Sequence, residues 1–405
     1  MKYVVILGDG MADNPVVQLG NKTPLQFANI PTIDYLTRHG VIGLVKTVPD
    51  GIPPGSDAAN LSVMGYNPYE YYTGRSPLEA ASMGIELTNS DITFRCNLVT
   101  LSNDEPYSEK TMIDYSADEI STAEAREIIL EVNRHLRTDN IEFYPGVSYR
   151  HLMVWHNGPY EFDFTPPHDI LEKKIADYLP KGPNKNIILR MMEASSEFLK
   201  NHPVNLRRIE KGLRPANSIW IWGEGKKPAL TSFYEKYGLK GSVISAVDLI
   251  KGIGICAGLR SVEVEGATGN IHTNFIGKAQ AAVEELKKGQ DFVYVHIEAP
   301  DECGHRYEID NKVRSIEIID QQVVRFIKEE LDRMGEDYKI MVLPDHPTPL
   351  NLRTHTSEPV PFVIYQNNGK EENPLLSYDE LTAQKTGVYF AEGYKLMDYF
   401  LNGEK

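Results

Sequence analysis

Three apolar runs in this 405-residue chain end in residues that can bind a metal ion or move a proton. KYVVIL (2–7) runs into Gly8-Asp9-Gly10, FVYVHI (292–297) into EAPDECGH (298–305), and YKIMVL (338–343) into PDHPTP (344–349). Further on, RTHTSEPVPF (353–362) places His355 in a polar loop just before another apolar run. Each feature alone has a plain reading, because an Asp after a strand is commonly a helix cap or an Asx turn and an Asp-His pair in a loop is commonly solvated. Together they give Asp9, Asp301, His305, Asp345, His346 and His355, an oxygen and nitrogen set suited to Mn²⁺, Zn²⁺ or Mg²⁺. This inventory exceeds what one ion needs and points to a centre of two divalent ions, roughly 3.5–4 Å apart, that clamp the oxygens of an in-line displacement.

A nucleophile candidate lies in GIPPGSDAANLSVMGYNP (51–68). The Pro-Pro-Gly run fixes the approach to a helix and puts Ser56 near its N-terminus, where free N–H groups and the helix dipole favour an anion. A serine at that place is often just an N-cap. Beside a metal, however, its hydroxyl loses a proton readily and can attack phosphorus.

These residues meet only if the elements carrying them are parallel. Strand-like runs occur at 2–7, 41–48, 186–191, 218–222, 292–297, 338–343 and 361–365, and helical periodicity at 121–136, 274–289 and 311–334. Strands alternating with helices at this spacing predict an α/β fold, with a mostly parallel sheet covered by helices on both faces. In such sheets the carboxyl ends of the strands converge on one crevice. Residues from about 85 to 220 differ in texture, with short polar strands and the basic loop LRRIEKGLRPAN (206–217). They read as a smaller inserted α+β domain, so the expected order is 1–84, insert 85–220, and 221–405.

Composition is that of an ordinary globular protein, and the formal net charge of −15 argues against a generic partner among nucleic acids or anionic membranes. A small anionic substrate is compatible if arginines are concentrated locally. Cys96, Cys256 and Cys303 are too few and scattered for a disulfide framework, which makes the cytoplasm the simplest compartment. MKYVVILGDGMADN suits a first strand and not a signal peptide, and no apolar segment approaches the roughly 20 residues that cross a bilayer.

The order GDGMAD, PPGSDAANLSVMGY, DECGH, PDHPTP, THTSEPVPF resembles the archaeal-type cofactor-independent phosphoglycerate mutases, within the alkaline phosphatase superfamily. The resemblance runs through nearly the whole chain. It implies a phosphatase-like metal domain interrupted by a substrate-binding insert, and isomerisation of 3-phosphoglycerate and 2-phosphoglycerate without 2,3-bisphosphoglycerate. It further implies that Ser56 is transiently phosphorylated, that Asp9, Ser56, Asp345 and His346 hold one ion, Mn²⁺ by preference, and that Asp301, His305 and His355 hold the other. Lys251, in AVDLIKGIG, looks like the family's phosphate-contacting lysine. For the substrate, FRCNLVT (94–100) resembles the insert's entry motif and nominates Arg95 and Asn97, with Asp114 following in MIDYSADEIS. Arg150, Arg207, Arg208 and Lys211 are further candidates, because phosphate and carboxylate suit arginine forks.

One departure bears on the substrate. Where archaeal members carry an arginine-rich run after the Asp, this chain reads Asp114-Tyr115-Ser116-Ala117-Asp118 and, with SIWIWGEGKK (218–227), resembles a bacterial branch proposed to be homoserine kinases. The alternative is therefore homoserine phosphorylation, or phosphomonoester hydrolysis, at the same centre. No GxxxxGK[ST] loop or protein-kinase signature is present to hold ATP. A metal-stabilised scaffold without activity is the rival from another class, and an intact Ser56 beside a full ligand set argues against it.

Overall fold

The computed structural model describes residues 1–369, 373 and 376–403. The chain divides into two compact units, the first formed by Met1–Tyr72 and Ala229–Lys405 and the second by Thr73–Pro228. The second unit is wider than the 85–220 expected for an insert. The helix Ser76–Ser82 packs on the strands that follow it, with Ser76 Oγ 3.1 Å from the Thr93 carbonyl.

The strands in chain order are β1 (Lys2–Gly8), β2 (Gly40–Val45), β3 (Ile92–Leu101), β4 (Met112–Asp114), β5 (Ile141–Val147), β6 (Arg150–Trp155), β7 (Ser218–Lys226), β8 (Gly241–Ile244), β9 (Arg260–Val262), β10 (Phe292–Ile297), β11 (Tyr338–Leu343), β12 (Val360–Gln366) and β13 (Tyr389–Phe390). The first unit holds a sheet in the order β13-β2-β12-β11-β1-β10-β8-β9. It is mostly parallel, with β12 antiparallel to both neighbours. This is the α/β fold the strand–helix alternation predicts.

β10 and β11 are buried along their whole length, as expected of central strands covered on both faces. On one face, Val4, Ile6, Val293, Val295, Ile340 and Val342 join a core with helices Pro31–Arg38, Phe275–Lys287 and Ile309–Ile318. Because side chains alternate across a strand, Tyr294 and His296 of β10 point to the other face, where Tyr294 Oη lies 2.6 Å from Asn60 Oδ1 on the helix Ser56–Val63. The helical stretch expected at 311–334 is Ile309–Ile318 and Arg325–Met334 joined by a π-helical turn, Ile319–Val324. Asp320 in that turn accepts a hydrogen bond from the Ile33 amide at 2.6 Å and so caps the helix Pro31–Arg38, whose own N-cap residue, Ile30, has no side-chain oxygen to offer.

The second unit is built on antiparallel strands, with β3 paired to both β6 and β7, β5 beyond β6, and β4 at the end of β3. One correction falls here. NIILRM (186–191) is not a strand but the start of the helix Lys185–Leu199. Ile188, Met191, Met192, Ser195, Ser196 and Leu199 are its buried positions, a 3.6-residue period that a six-residue apolar window cannot distinguish from a strand.

Candidate active site and metal centre

β11, β1 and β10 are neighbours, so the loops leaving their carboxyl ends bring Asp345, Asp9 and Asp301 together. Candidate ligand atoms fall into two groups, Asp9 with Asp345 and His346, and Asp301 with His346 and His355, all atoms of each group within 4.8 Å of one another. His346 Nε2 lies 3.4 Å from Asp345 Oδ2 and 3.6 Å from Asp9 Oδ1. His305 joins the second group through Nε2, 3.2 Å from Asp301 Oδ2 and 2.9 Å from His355 Nε2. His355 Nε2 is 3.3 Å from Asp301 Oδ1. The five residues read from the strand ends and His355 from the loop before β12 thus occupy one place, with His346 common to both groups.

Ser56 is the first residue of the helix Ser56–Val63, after Gly55 in extended backbone, and its Oγ lies 3.1 Å from His346 Nε2. The Pro-Pro-Gly approach therefore does what its stiffness suggests, delivering a hydroxyl to the acid and imidazole cluster at a helix N-terminus. Gly10 is needed on the opposite wall. Its φ is +64°, and a Cβ there would stand 2.8 Å from the Asp301 Cα.

The electrostatics are those of a site short of positive charge. Burial, with the carboxylates of Asp345 and Asp301 close by, pushes Asp9 well above the usual carboxylate range. Burial also opposes charge on Asp301, but hydrogen bonds from His305 and His355 hold it well below that range. The hydrogen bond to Asp301 raises His305 to about 9. Asp9 Oδ1 is buried with no hydrogen-bond partner, the one such oxygen among the carboxylates of the centre in the described residues. An orphaned carboxylate oxygen amid oxygen and imidazole donors fits a divalent cation.

Residues that sequence reading did not single out hold these groups in place. His296 Nε2 is 3.0 Å from Asp9 Oδ2. Asn60 Nδ2 donates to Asp345 Oδ2 at 2.9 Å and to the Ser56 carbonyl at 2.8 Å, while Tyr294 Oη donates to its Oδ1. Thr348 donates to Asp301, and Thr47 to the Asp345 carbonyl. Lys312, fully buried, bonds Asp13 Oδ2 at 2.7 Å and the Thr348 carbonyl at 2.8 Å, tying the loops after β1 and β11 to each other. Inside apolar strands and helices such residues look like core, and the sequence signal that could have marked them is polarity itself at a buried register.

Lys251, on the helix Asp248–Cys256, pairs with Glu263 through Nζ at 2.7 and 2.9 Å from its two oxygens. A second lysine, Lys278, is fully buried with Nζ 3.1 Å from the His296 carbonyl, and burial lowers it to about 8.

In the second unit Arg95 lies over Trp222, 4.4 Å from the ring centroid, with Nε 3.3 Å from Glu79. Asn97 receives the Trp222 indole N–H at 3.0 Å and donates to the Tyr115 carbonyl at 3.2 Å. Arg150 is exposed over Tyr149, and His168 packs edge-on to both Trp222 and Tyr115. Asp114 and Arg208 are spent within the unit. Asp114 accepts from Ser116, the Asp118 amide and Arg214, and Arg208 donates to Glu124, the Ala117 carbonyl and the Arg214 carbonyl. Both brace Ala117–Asp118–Glu119, three consecutive residues in left-handed backbone, at φ 49°, 55° and 49°. Arg207 is exposed, 3.4 Å from Glu127, and Lys211 is exposed after the helix Pro203–Glu210.

A largely parallel sheet with acid, imidazole and hydroxyl groups gathered at its carboxyl edge marks the chain as an α/β enzyme. The family model described as 2,3-bisphosphoglycerate-independent phosphoglycerate mutase matches residues 37–205. The chain is 51% identical to the 2,3-bisphosphoglycerate-independent phosphoglycerate mutase of Methanosarcina mazei over 94% of each chain, and 48% identical to that of Methanothrix thermoacetophila over 100% of each. A solved Pyrococcus horikoshii protein structure superposes with a TM-score of 0.82 at 29% identity, covering 100% of this chain and 98% of that one. The chain belongs to the 2,3-bisphosphoglycerate-independent phosphoglycerate mutase family.

Proposed function

We propose that this chain interconverts 3-phosphoglycerate and 2-phosphoglycerate through a phosphoserine at Ser56, with two divalent ions, Mn²⁺ by preference. The observation that carries the reading is the Ser56 hydroxyl at a helix N-terminus, 3.1 Å from His346 Nε2 and beside three convergent carboxylates. Asp9, Ser56, Asp345 and His346 would hold one ion, and Asp301, His305 and His355 the other. Bound there, divalent ions supply positive charge that favours the ionised serine and offsets charge on the transferring oxygens.

The chain's own part is positioning. Ser56 Oγ gives up its proton and attacks phosphorus, the Oγ–P bond forms, and the P–O bond to the glycerate oxygen breaks, that oxygen taking up a proton. The other glycerate hydroxyl then attacks the phosphoserine, the Oγ–P bond breaks, and Ser56 is regenerated with its proton returned. The amides opening the helix Ser56–Val63 favour phosphoryl oxygens, and Asn60 holds the Ser56 carbonyl and Asp345 in fixed relation. Lys251 serves as a phosphate contact, and Arg95, Asn97 and Arg150 as contacts to the organic half. Asp114 and Arg208 keep the left-handed segment Ala117–Glu119 in shape.

The departure at Asp114–Asp118 leaves the metal groups unchanged, and the chain's identity to mutases of this name favours phosphoglycerate over homoserine. The test is to quench Mn²⁺-loaded protein during turnover of 3-phosphoglycerate and map phosphopeptides by mass spectrometry. Phosphate on Ser56 is expected, and phosphate carried by no residue, or only by another one, contradicts the reading.

A further inference from the structure

His296 is fully buried on β10, between Asp9 and Ser245, and each ring nitrogen has one hydrogen-bond partner among the described residues. Nε2 lies 3.0 Å from Asp9 Oδ2, and Nδ1 lies 3.2 Å from Ser245 Oγ. Ser245 directly follows β8, and its Oγ accepts the Val247 amide at 3.0 Å. Val247 is the N-cap residue of Asp248–Cys256, the helix that carries Lys251.

This chain of contacts has one satisfying arrangement of protons. With a carboxylate at Asp9, Nε2 must carry the hydrogen, so Nδ1 is a lone pair and the serine O–H donates to it. The opposite tautomer sets a nitrogen lone pair against Asp9 Oδ2. It also leaves the hydroxyl hydrogen of Ser245, which is 3% exposed, without an acceptor among the described residues. A buried, unpaired O–H is costly. The strand end is pinned too, since Lys278 Nζ bonds the His296 carbonyl at 3.1 Å.

We propose that Ser245 is a positioning residue for the metal centre: by donating to His296 Nδ1 it locks the imidazole in the tautomer whose Nε2–H orients Asp9. The same hydroxyl ties that carboxylate to the start of the Lys251 helix, so the loop after β8 aligns both sides of the phosphoryl site. The inference rests on Asp9 being a metal ligand, as proposed above. Orienting partners of this kind alter metal affinity by about 10–100-fold when removed.

The experiment has a part that needs no metal. Long-range proton–nitrogen correlation on metal-free, [¹⁵N]histidine-labelled full-length protein, at a pH high enough that Asp9 is ionised, is expected to show His296 as the Nε2–H tautomer. Ser245→Ala shifts it toward Nδ1–H, and Ser245→Thr restores it. By calorimetry Ser245→Ala binds Mn²⁺ about 10–100-fold more weakly than wild type, and Ser245→Thr within a few-fold of it. His296→Gln, whose amide nitrogen reaches the place of Nε2, makes the affinity indifferent to serine or alanine at 245. An Nδ1–H tautomer in the wild type, or a Ser245→Ala protein with unchanged tautomer and Mn²⁺ affinity, overturns the inference. A wild-type protein that binds no Mn²⁺ instead contradicts the metal reading, and the tautomer spectrum then decides the role of Ser245 by itself.

Discussion

Ser56 Oγ and His346 Nε2 stand 3.1 Å apart although 290 residues separate them in the chain. One follows a proline-stiffened turn and the other lies in the loop that leaves a buried strand. Their meeting makes the serine a nucleophile candidate, since an N-cap alone would need no imidazole.

Ser56→Ala is therefore expected to lower kcat by at least about 10⁴-fold, the order seen when a covalent nucleophile is removed. The melting temperature should stay within a few degrees of wild type, because the residue is only partly buried. Steady-state kinetics beside a thermal melt separates loss of chemistry from loss of fold.

Asn60 supports the same geometry at one remove, with a single amide holding both the Ser56 carbonyl and Asp345. Asn60→Leu should lower kcat about 10–100-fold and weaken Mn²⁺ binding by a similar factor. Kinetics and calorimetry on one preparation check it, and an unchanged metal affinity would assign Asn60 to packing alone.

Three carboxylates, Asp9, Asp301 and Asp345, share this crevice, and burial together with that crowding disfavours the charge on Asp9. Bound divalent ions relieve it, so metal is expected to stabilise the fold, by about 2.7 kcal/mol at a free concentration 100 times Kd. Calorimetric melts with added Mn²⁺ and with chelator read this directly.

Glu380 gives a pH signature away from the centre. It accepts hydrogen bonds from Thr23 Oγ1 at 2.7 Å and from the Asp13 amide at 3.2 Å, and burial raises it to about 7. The folded state holds this proton more tightly than the unfolded chain, so the stabilising contribution is fully present below pH about 4.3 and lost as pH rises to about 7. Over that window wild type should lose about 4 kcal/mol relative to Glu380→Gln. Denaturant titrations of both proteins at several pH values check the slope, and parallel curves would contradict it.

The metal-type residues were legible because parallel strands aim all their carboxyl ends one way, so adjacency in space follows from topology. Asp9, Asp301 and Asp345 needed only that β1, β10 and β11 be recognised as such. Ser245, His296, Tyr294 and Asn60 were not legible, because within buried elements their register, and not their neighbours in sequence, decides what they face. Lys185–Leu199 was misread for a related reason, since NIILRM satisfies a strand and a buried helix equally until the later turns are counted. The substrate residues of the second unit remained expectations, because side chains such as Arg208 pair by tertiary packing that spacing does not encode.

The central claim is a phosphoserine mutase at this centre. Its most direct measurement is a coupled assay of 3-phosphoglycerate to 2-phosphoglycerate, without 2,3-bisphosphoglycerate, on wild type with Mn²⁺, wild type with chelator, and Ser56→Ala. Turnover that requires the metal and disappears in Ser56→Ala is the predicted result. Metal-loaded wild type with no mutase turnover, or a Ser56→Ala protein as active as wild type, would contradict it.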